Sequence, residues 1–207
     1  MGVIMSGILS KVSGKVAGVV GGSWKDKAYL RAWVKPANPR TALQIAQRER
    51  FERCVNFAKP LVGQVFNAYT DRFQKSMSGF NFFIKRNILE FDDPPVWENI
   101  KITEGPLSPV LVTSAVYSGT TCVISFTPNL GNNGTNDDKV FACLYHKPTG
   151  VMYFPAAEVV RSAGVIDVVP GTGFSAADFE SYTWVVQYTS GICTMISNSD
   201  QQDVGIP

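Results

Sequence analysis

The side chains that could take part in catalysis are few and widely separated in this chain of 207 residues. The single histidine, His146, stands before Lys147 and Pro148 at the end of a strand-like run. A catalytic histidine needs a nucleophile within hydrogen-bond reach and a third group that orients its ring, and no serine lies in a G-x-S-x-G elbow. We therefore expect His146 to be a surface or turn residue, and we expect the chain to contain no catalytic residue.

Paired carboxylates are the second group of residues that could do chemistry. General acid and base work requires two carboxyl groups facing each other across a cleft. The pairs in this chain lie in loop-like segments, where we expect solvated turn residues. They are Asp92 with Asp93, Asp137 with Asp138, and Asp178 with Glu180. The sequence therefore predicts a protein that is not an enzyme.

The four cysteines do not have the spacing of a metal site. Zinc sites use close pairs of ligands, and no C-x-x-C occurs among Cys54, Cys122, Cys143 and Cys193. Three of the four lie in apolar strand-like runs, where a free cysteine behaves as a small hydrophobic residue. We expect no bound metal. A bridge from Cys193 to Cys122 or to Cys143 stays open as an alternative to buried thiols.

Glycines punctuate the segment from Gly14 to Thr41, GKVAGVVGGSWKDKAYLRAWVKPANPRT. Neither the phosphate-binding pattern G-x-x-x-x-G-K-[ST] nor the dinucleotide-binding pattern G-x-G-x-x-G is present, so we expect no cofactor. A glycine inside a strand weakens it and often marks a close approach by another backbone. The segment is therefore predicted to be shaped for contact with another chain.

The elements around this segment follow from its periodicity. Residues 15–35 are predicted to form a β-hairpin or a pair of strands with a turn near Asp26. Residues facing opposite sides alternate along the return strand, which Pro36 and Pro39 end. A capping box of Thr41 and Gln44 begins a helix over residues 42–58. Its apolar stripe consists of Leu43, Phe51, Cys54, Val55 and Ala58. Two further helical stretches are predicted, one from Val62 towards Lys75 and one from Ser78 to Ile88.

Short strands separated by turn signals follow from residue 100 onward. We predict an α+β chain with a glycine-rich hairpin and helical region at residues 1–97 and an immunoglobulin-like or fibronectin-type β-sandwich at residues 98–207. Trp184 is expected in the core of that sandwich. The predicted strands are Val110–Tyr117, Thr121–Thr127, Val140–His146, Val151–Phe154, Gly164–Val169, Tyr182–Tyr188 and Cys193–Ser197.

Charge is distributed unevenly along the chain. Residues 1–100 carry 15 Lys and Arg against 8 Asp and Glu, whereas residues 101–207 carry 4 against 9, so the two parts have net charges of +7 and −5. Opposite signs favour packing of the basic part of one copy on the acidic part of the next, and nucleic acid is the alternative partner of the basic part. Glycines and lysines interrupt every apolar run near the N terminus, so we expect neither a leader peptide nor contact with a membrane.

The first ninety residues resemble a family of uncharacterised proteins from phages, prophages and related bacterial genomes. Members open with a G-K-V-G-x-V-V-G block, continue with W-K/R-G-x-x-Y/V-x-R and N-P-R-T-x-x-Q, and later carry F-N-x-F-x-x-x-N. Ala17-Gly18 and Asp26 depart from the family pattern. The matching residues are Gly14, Lys15, Val16, Val19, Val20, Gly21, Trp24, Lys25, Tyr29, Arg31, Asn38, Pro39, Arg40, Thr41, Gln44, Phe80, Asn81 and Asn87.

The phage setting implied by this resemblance points to a structural component of a virion. We expect a neck or tail ring protein or a capsid-associated protein that forms in the host cytoplasm and contacts copies of itself and other virion proteins. An alternative is a surface or secreted binding module whose loops at residues 129–136 and 170–174 recognise carbohydrate or protein. The predicted assembly contacts are Gly14, Gly18, Gly21, Gly22, Trp24, Tyr29, Arg31, Trp33 and Arg40.

Overall fold

The computed structural model describes residues 2–4, 14–24, 27–35, 37–38, 40–73, 76–131 and 133–205. Helices and antiparallel sheets both occur, which confirms the predicted α+β class. The chain forms two compact units, Met1–Gln44 and Ile45–Pro207. This division differs from the predicted one at residue 97, because the helical residues after Gln44 belong to the same compact unit as the later strands.

The N-terminal unit contains one antiparallel sheet of four short strands. Its strands are β1 (Gly2–Ile4), β2 (Gly14–Val16), β3 (Val19–Trp24) and β4 (Lys27–Ala32), in the spatial order β1-β4-β3-β2. Strands β3 and β4 pair from Val19↔Ala32 to Trp24↔Lys27, which confirms the predicted hairpin. The predicted turn at Asp26 and the two proline stops at Pro36 and Pro39 lie outside the described residues.

Helices occupy the chain from Ala42 to Asn87, close to the predicted positions. The first is α1 (Ala42–Ala58), followed by a π-helix at Val62–Thr70, the single turn α2 (Asp71–Phe73) and α3 (Gly79–Asn87). The backbone N–H of Gln44 donates to Thr41 Oγ1 over 3.4 Å, and that of Asn81 donates to Ser78 Oγ over 3.3 Å. These bonds satisfy N–H groups that a helix start leaves free.

The apolar stripe of α1 is buried only in its second half. Cys54 and Ala58 lie in the core, whereas Leu43 and Phe51 are exposed. The predicted helix over residues 42–58 is thus confirmed, and only part of its apolar stripe contributes to the core.

All seven predicted strands are present in the second unit, together with two that the sequence pattern did not indicate. The two additional strands are β9 and β13. The nine are β5 (Leu111–Tyr117), β6 (Cys122–Thr127), β7 (Lys139–His146), β8 (Val151–Tyr153), β9 (Val159–Val160), β10 (Val165–Val168), β11 (Phe179–Thr189), β12 (Ile192–Ile196) and β13 (Asp200–Asp203).

These strands form two antiparallel sheets. The smaller sheet has the order β10-β6-β5. The larger has the order β12-β11-β7-β8, with β13 also paired to β11 and β9 also paired to β7. The central pair, β7 with β11, runs in continuous register from Lys139↔Val186 to His146↔Phe179.

Successive residues along the central strands of the larger sheet face opposite sides, and the two faces belong to two different cores. One face packs on the smaller sheet through residues such as Val140, Leu144 and Val185. The opposite face packs on the helices, where Trp184 and Phe57 lie in the same buried cluster. Helices, larger sheet and smaller sheet therefore form three layers. Trp184 is buried, as predicted, but on the helical side of its strand.

Among the described residues, no helix is both long enough and apolar enough to cross a bilayer.

Candidate functional site

Most of the predicted assembly residues come together on the small N-terminal sheet. Gly14 pairs with Gly21, and Gly22 pairs with Tyr29 on the neighbouring strand. The backbone N–H of Trp33 donates to the carbonyl oxygen of Gly18 over 2.8 Å, which ties the residues after β4 to the β2–β3 turn.

Three of the remaining predicted residues need separate description. Arg31 lies in β4 opposite Val20. Trp24 ends β3, and its side chain lies outside the described part of the structure. Arg40 does not join the sheet; it is exposed in the segment that precedes α1. The structure thus gathers the glycine, tyrosine and Trp33 positions and Arg31 but leaves Arg40 apart.

The two faces of this sheet carry different residues, because successive side chains of a strand point to opposite sides. Partners in antiparallel register share a face, so Lys15, Val20 and Arg31 lie on one side, together with Tyr29. The Lys15 ammonium lies 3.7 Å from the centroid of the Trp33 ring, which places that ring on the same side. We call this side the basic aromatic face.

The other side is made of small and aliphatic residues, and we call it the glycine face. Gly14, Gly21 and Leu30 form one row across the sheet, and Val16, Val19 and Ala32 form the next. Another backbone can approach such a surface closely because few side chains project from it.

Glycine suits two positions of the sheet for different reasons. A Cβ atom on Gly22 would lie 2.9 Å from the hydroxyl of Tyr29, so the ring of Tyr29 lies close over position 22 and would have to shift for a side chain there. Gly14 has a φ of +103°, a backbone conformation that other residues rarely adopt.

Strand β2 leaves apolar groups exposed at the rim of the sheet. It is the last strand in the sheet order, and all three of its residues are exposed. Val16 is 63% exposed and Trp33 46% exposed. An exposed apolar edge strand is a template for pairing with another chain, and the outward N–H and C=O groups of β2 have no partner strand among the described residues.

The histidine does not occupy the surface position that the sequence suggested. His146 is buried at the end of β7, with its ring centroid 4.8 Å from that of Phe174 and 5.0 Å from that of Phe179. Its Nδ1 lies 2.7 Å from the hydroxyl of Thr149. The prediction of a surface histidine was wrong, because tertiary packing of two aromatic rings covers the strand end.

Two of the carboxylates predicted to be solvated are buried and paired. Asp138 lies 3.1 Å from the guanidinium of Arg161, and Glu180 accepts a hydrogen bond of 2.8 Å from Lys147 Nζ. Burial lowers the pKa of Arg161, and Asp138 opposes that shift. Asp138 is far from Arg161 in the sequence, and Lys147 is far from Glu180. No local pattern therefore indicates either pair.

The four cysteines are free and buried, so neither bridge that the sequence left open forms. Burial raises the pKa of the Cys54 thiol to about 12 and that of the Cys122 thiol to about 11. Such thiols are inert at neutral pH. Within the described ranges, no group of three or more His, Cys, Asp or Glu side chains is arranged to hold a metal ion.

Comparison with known proteins gives one match. A protein family described as of unknown function, DUF6266, matches residues 11–200. No curated protein and no solved structure matches the chain. The match extends over nearly the whole chain, including both sheets of the second unit. The chain therefore belongs to the DUF6266 family.

Proposed function

We propose that this protein is a non-enzymatic structural component of a bacteriophage virion, a neck or tail ring protein or a capsid-associated protein, that acts through contacts between subunits. The observation that carries the proposal is the small N-terminal sheet with its exposed edge strand β2 and its two unlike faces. The phage resemblance of the first ninety residues supplies the setting.

The sheet offers a physical route to assembly. An extended segment of a neighbouring subunit can add a strand beside β2, with backbone hydrogen bonds giving affinity and side-chain contacts giving specificity. Val16 and Val19 would be covered by the added strand, and the glycine face allows close approach. A protein that assembles in this way needs no catalytic site.

The distribution of charge supports contact between copies. Residues 1–44 carry seven Lys and Arg and one Asp, a net charge of +6, and residues 45–207 carry 12 against 16, a net charge of −4. A basic unit in one copy and an acidic unit in the next attract each other in a head-to-tail arrangement. Other virion proteins and nucleic acid are further partners that the basic unit could engage.

The proposal is tested by measuring the mass of the full-length protein by size-exclusion chromatography with light scattering over a wide concentration range. We expect oligomers in the wild type and their loss in Val16→Lys, because a charge replaces an apolar group on the pairing edge. Val169→Lys is the matched control, since Val169 is 61% exposed but lies in the second unit. A wild type that stays monomeric, or a Val16→Lys variant that assembles normally, would contradict the proposed assembly.

The virion setting needs its own measurement. Mass spectrometry of particles purified by density gradient should detect the chain in constant proportion to the major capsid protein. Its absence from the particles would count against a virion component while leaving self-assembly intact.

The finer architecture of the second unit is part of the same proposal. We take its two sheets to be an immunoglobulin-like sandwich, supported by two antiparallel sheets that share one core. The helical layer on the outer face of the larger sheet distinguishes it from an isolated sandwich domain.

The alternative of a binding module depends on exposed aromatic rings in the loops at residues 129–136 and 170–174. The first loop contains no aromatic residue. Phe174 in the second is half-buried, with its ring centroid 5.5 Å from that of Phe179. These loops therefore lend less support to recognition of carbohydrate than the sheet lends to assembly.

A further inference from the structure

A cavity of about 250 Å³ lies between the larger sheet and the segment at residues 154–158. It exists because the middle of β7 has no paired strand on the edge that faces away from β11. Strand β8 pairs with Leu144–His146 and β9 pairs with Lys139–Val140, so Phe141 to Cys143 are in register with neither. The segment that connects β8 to β9 forms one wall, and the π-helix contributes Gln64 and Tyr69.

Aromatic rings make up much of the lining. Phe141 stacks on Trp184 with ring centroids 6.1 Å apart and planes at 14°, and the Tyr69 centroid lies 5.4 Å from that of Phe141. The indole N–H of Trp184 is buried and has no hydrogen-bond partner among the described residues. The lining is therefore mainly aromatic, and the indole N–H itself is shielded from solvent.

A carboxylate stands at the same cavity. The side chain of Glu158 is 59% exposed, and its only described ion pair is a long one, 3.8 Å to Lys139 Nζ. Burial raises the pKa of Tyr69 and of Tyr188, and the negative charge of Glu158 adds to both shifts. The two hydroxyls of these tyrosines are 3.3 Å apart. Negative potential therefore reaches the aromatic lining.

The size and chemistry of the cavity select a particular kind of occupant. Sites for drug-sized ligands have volumes of about 300–1,000 Å³, so this cavity suits a single side chain better than a cofactor. Aromatic faces beside a carboxylate attract a cation, and a planar guanidinium stacks on aromatic rings better than an ammonium does.

Arg31 is the side chain that fits these requirements best. It is exposed on the basic aromatic face, and no hydrogen bond or ion pair of Arg31 is described in the parts of the chain that the structure covers. Lys15 on the same face already lies over Trp33. Arg31 also stands within strand β4 of the basic aromatic face, whereas Arg40 lies apart from the sheet.

We propose that the cavity lined by Tyr69, Phe141 and Trp184 receives the Arg31 side chain of a second copy of this chain, with Glu158 as its counter-ion. This inference rests on the proposed function, since it names the acceptor site for the basic sheet of the neighbouring subunit. The contact joins the unit of net charge +6 to the unit of net charge −4.

A charge swap tests the contact in the full-length protein by sedimentation velocity. Glu158→Arg and Arg31→Glu should each weaken self-association about 10-fold or more, because each places like charges together. The double variant should associate more tightly than either single variant, since the ion pair is present with its signs exchanged, but more weakly than the wild type, because a glutamate does not stack on the aromatic rings. Both sites are exposed, so circular dichroism should show native folding in all three variants.

Two matched controls separate this contact from a general effect of charge. Glu104 has a side chain that is 50% exposed with a similarly long ion pair, 3.7 Å to Arg86, and Glu104→Arg should leave association unchanged. Lys35 is exposed in the same unit as Arg31, and Lys35→Glu should not rescue Glu158→Arg.

The outcomes distinguish this inference from the proposed function. If the wild type assembles and Glu158→Arg assembles equally well, the cavity contact is overturned while assembly through the sheet stands. Equal rescue by Lys35→Glu and by Arg31→Glu would overturn Arg31 as the occupant. A wild type that is monomeric at every concentration would overturn both proposals.

Discussion

Buried charge in the second unit is organised around Arg161. Its guanidinium donates to the carbonyl oxygens of Ser108 and Asn129 and forms an ion pair with Asp138. Asp138 in turn accepts hydrogen bonds of 2.6 and 2.8 Å from the hydroxyl and the backbone N–H of Thr135. These bonds connect the loop before β7 to Arg161 and, through it, to Ser108 and Asn129. Arg161 and Asp138 therefore have a structural role.

Asp138→Asn should destabilise the protein by about 3–5 kcal/mol, because it leaves the buried guanidinium of Arg161 without a counter-charge. Asp137→Asn is the matched control, since Asp137 is the exposed neighbour, and its effect should stay within about 0.5 kcal/mol. Urea unfolding followed by tryptophan fluorescence measures both. Equal losses in the two variants would show that the ion pair contributes little.

The sequence offered no means of telling these two adjacent aspartates apart. Both stand in a polar turn-like segment, and the residue that distinguishes them, Arg161, comes from a different part of the chain. His146 illustrates the same limit, because the rings that bury it are brought to it by the fold.

At the scale of elements, the strands that local patterns predict are those with apolar alternation. Strand β13, DQQD, has none, and it forms by pairing with β11 from Glu180↔Asp203 to Thr183↔Asp200. Gln201 Nε2 donates to Glu180 Oε2 over 2.6 Å, and Lys147 donates to the other carboxylate oxygen. Glu180 thereby connects β11, β13 and the end of β7.

The pH dependence of stability should report on Glu180. Burial raises its pKa above the ordinary value of 4.5, with Lys147 and Gln201 opposing the shift. The folded state therefore binds the proton of Glu180 more tightly than the unfolded state does. Its contribution to stability is most favourable below pH 4.5 and declines as the pH rises through the folded-state pKa.

Glu180→Gln removes this dependence. The free energy of unfolding of the wild type minus that of the Glu180→Gln variant should decrease as the pH rises from 4 to 7. Thermal unfolding across that range measures both. Asp137→Asn, an exposed change away from the contacts of Glu180, serves as the control. A difference that grows with pH would show instead that the bond to Lys147 outweighs the burial of Glu180.

At the scale of the whole molecule, the larger sheet is buried on both faces. Phe57 and Phe83 of the helices lie in one cluster with Tyr182 and Trp184, and the smaller sheet covers the opposite side. A chain cut at residue 97 would lose the helical layer and expose large aromatic rings. Exposed apolar surface of that kind leads to aggregation.

Two truncations test this organisation. Removing residues 1–35 should preserve a cooperative thermal transition and the near-ultraviolet circular dichroism of the second unit while abolishing assembly. A fragment of residues 98–207 should lose the near-ultraviolet signal, because Tyr182 and Trp184 no longer pack on Phe57 and its neighbours. A fragment that keeps its native spectrum would support the boundary predicted at residue 97.

The sequence by itself determined the local elements: the glycine-rich hairpin, the helix that begins after Thr41, and seven strands with apolar alternation. These follow from periodicity, capping and turn residues, which act over a few positions of the chain. Only the tertiary structure decided which face of β11 meets the helices, which aspartate pairs with Arg161, and where β7 leaves a cavity. Those features depend on contacts between residues far apart in the chain, and a local pattern carries no record of them.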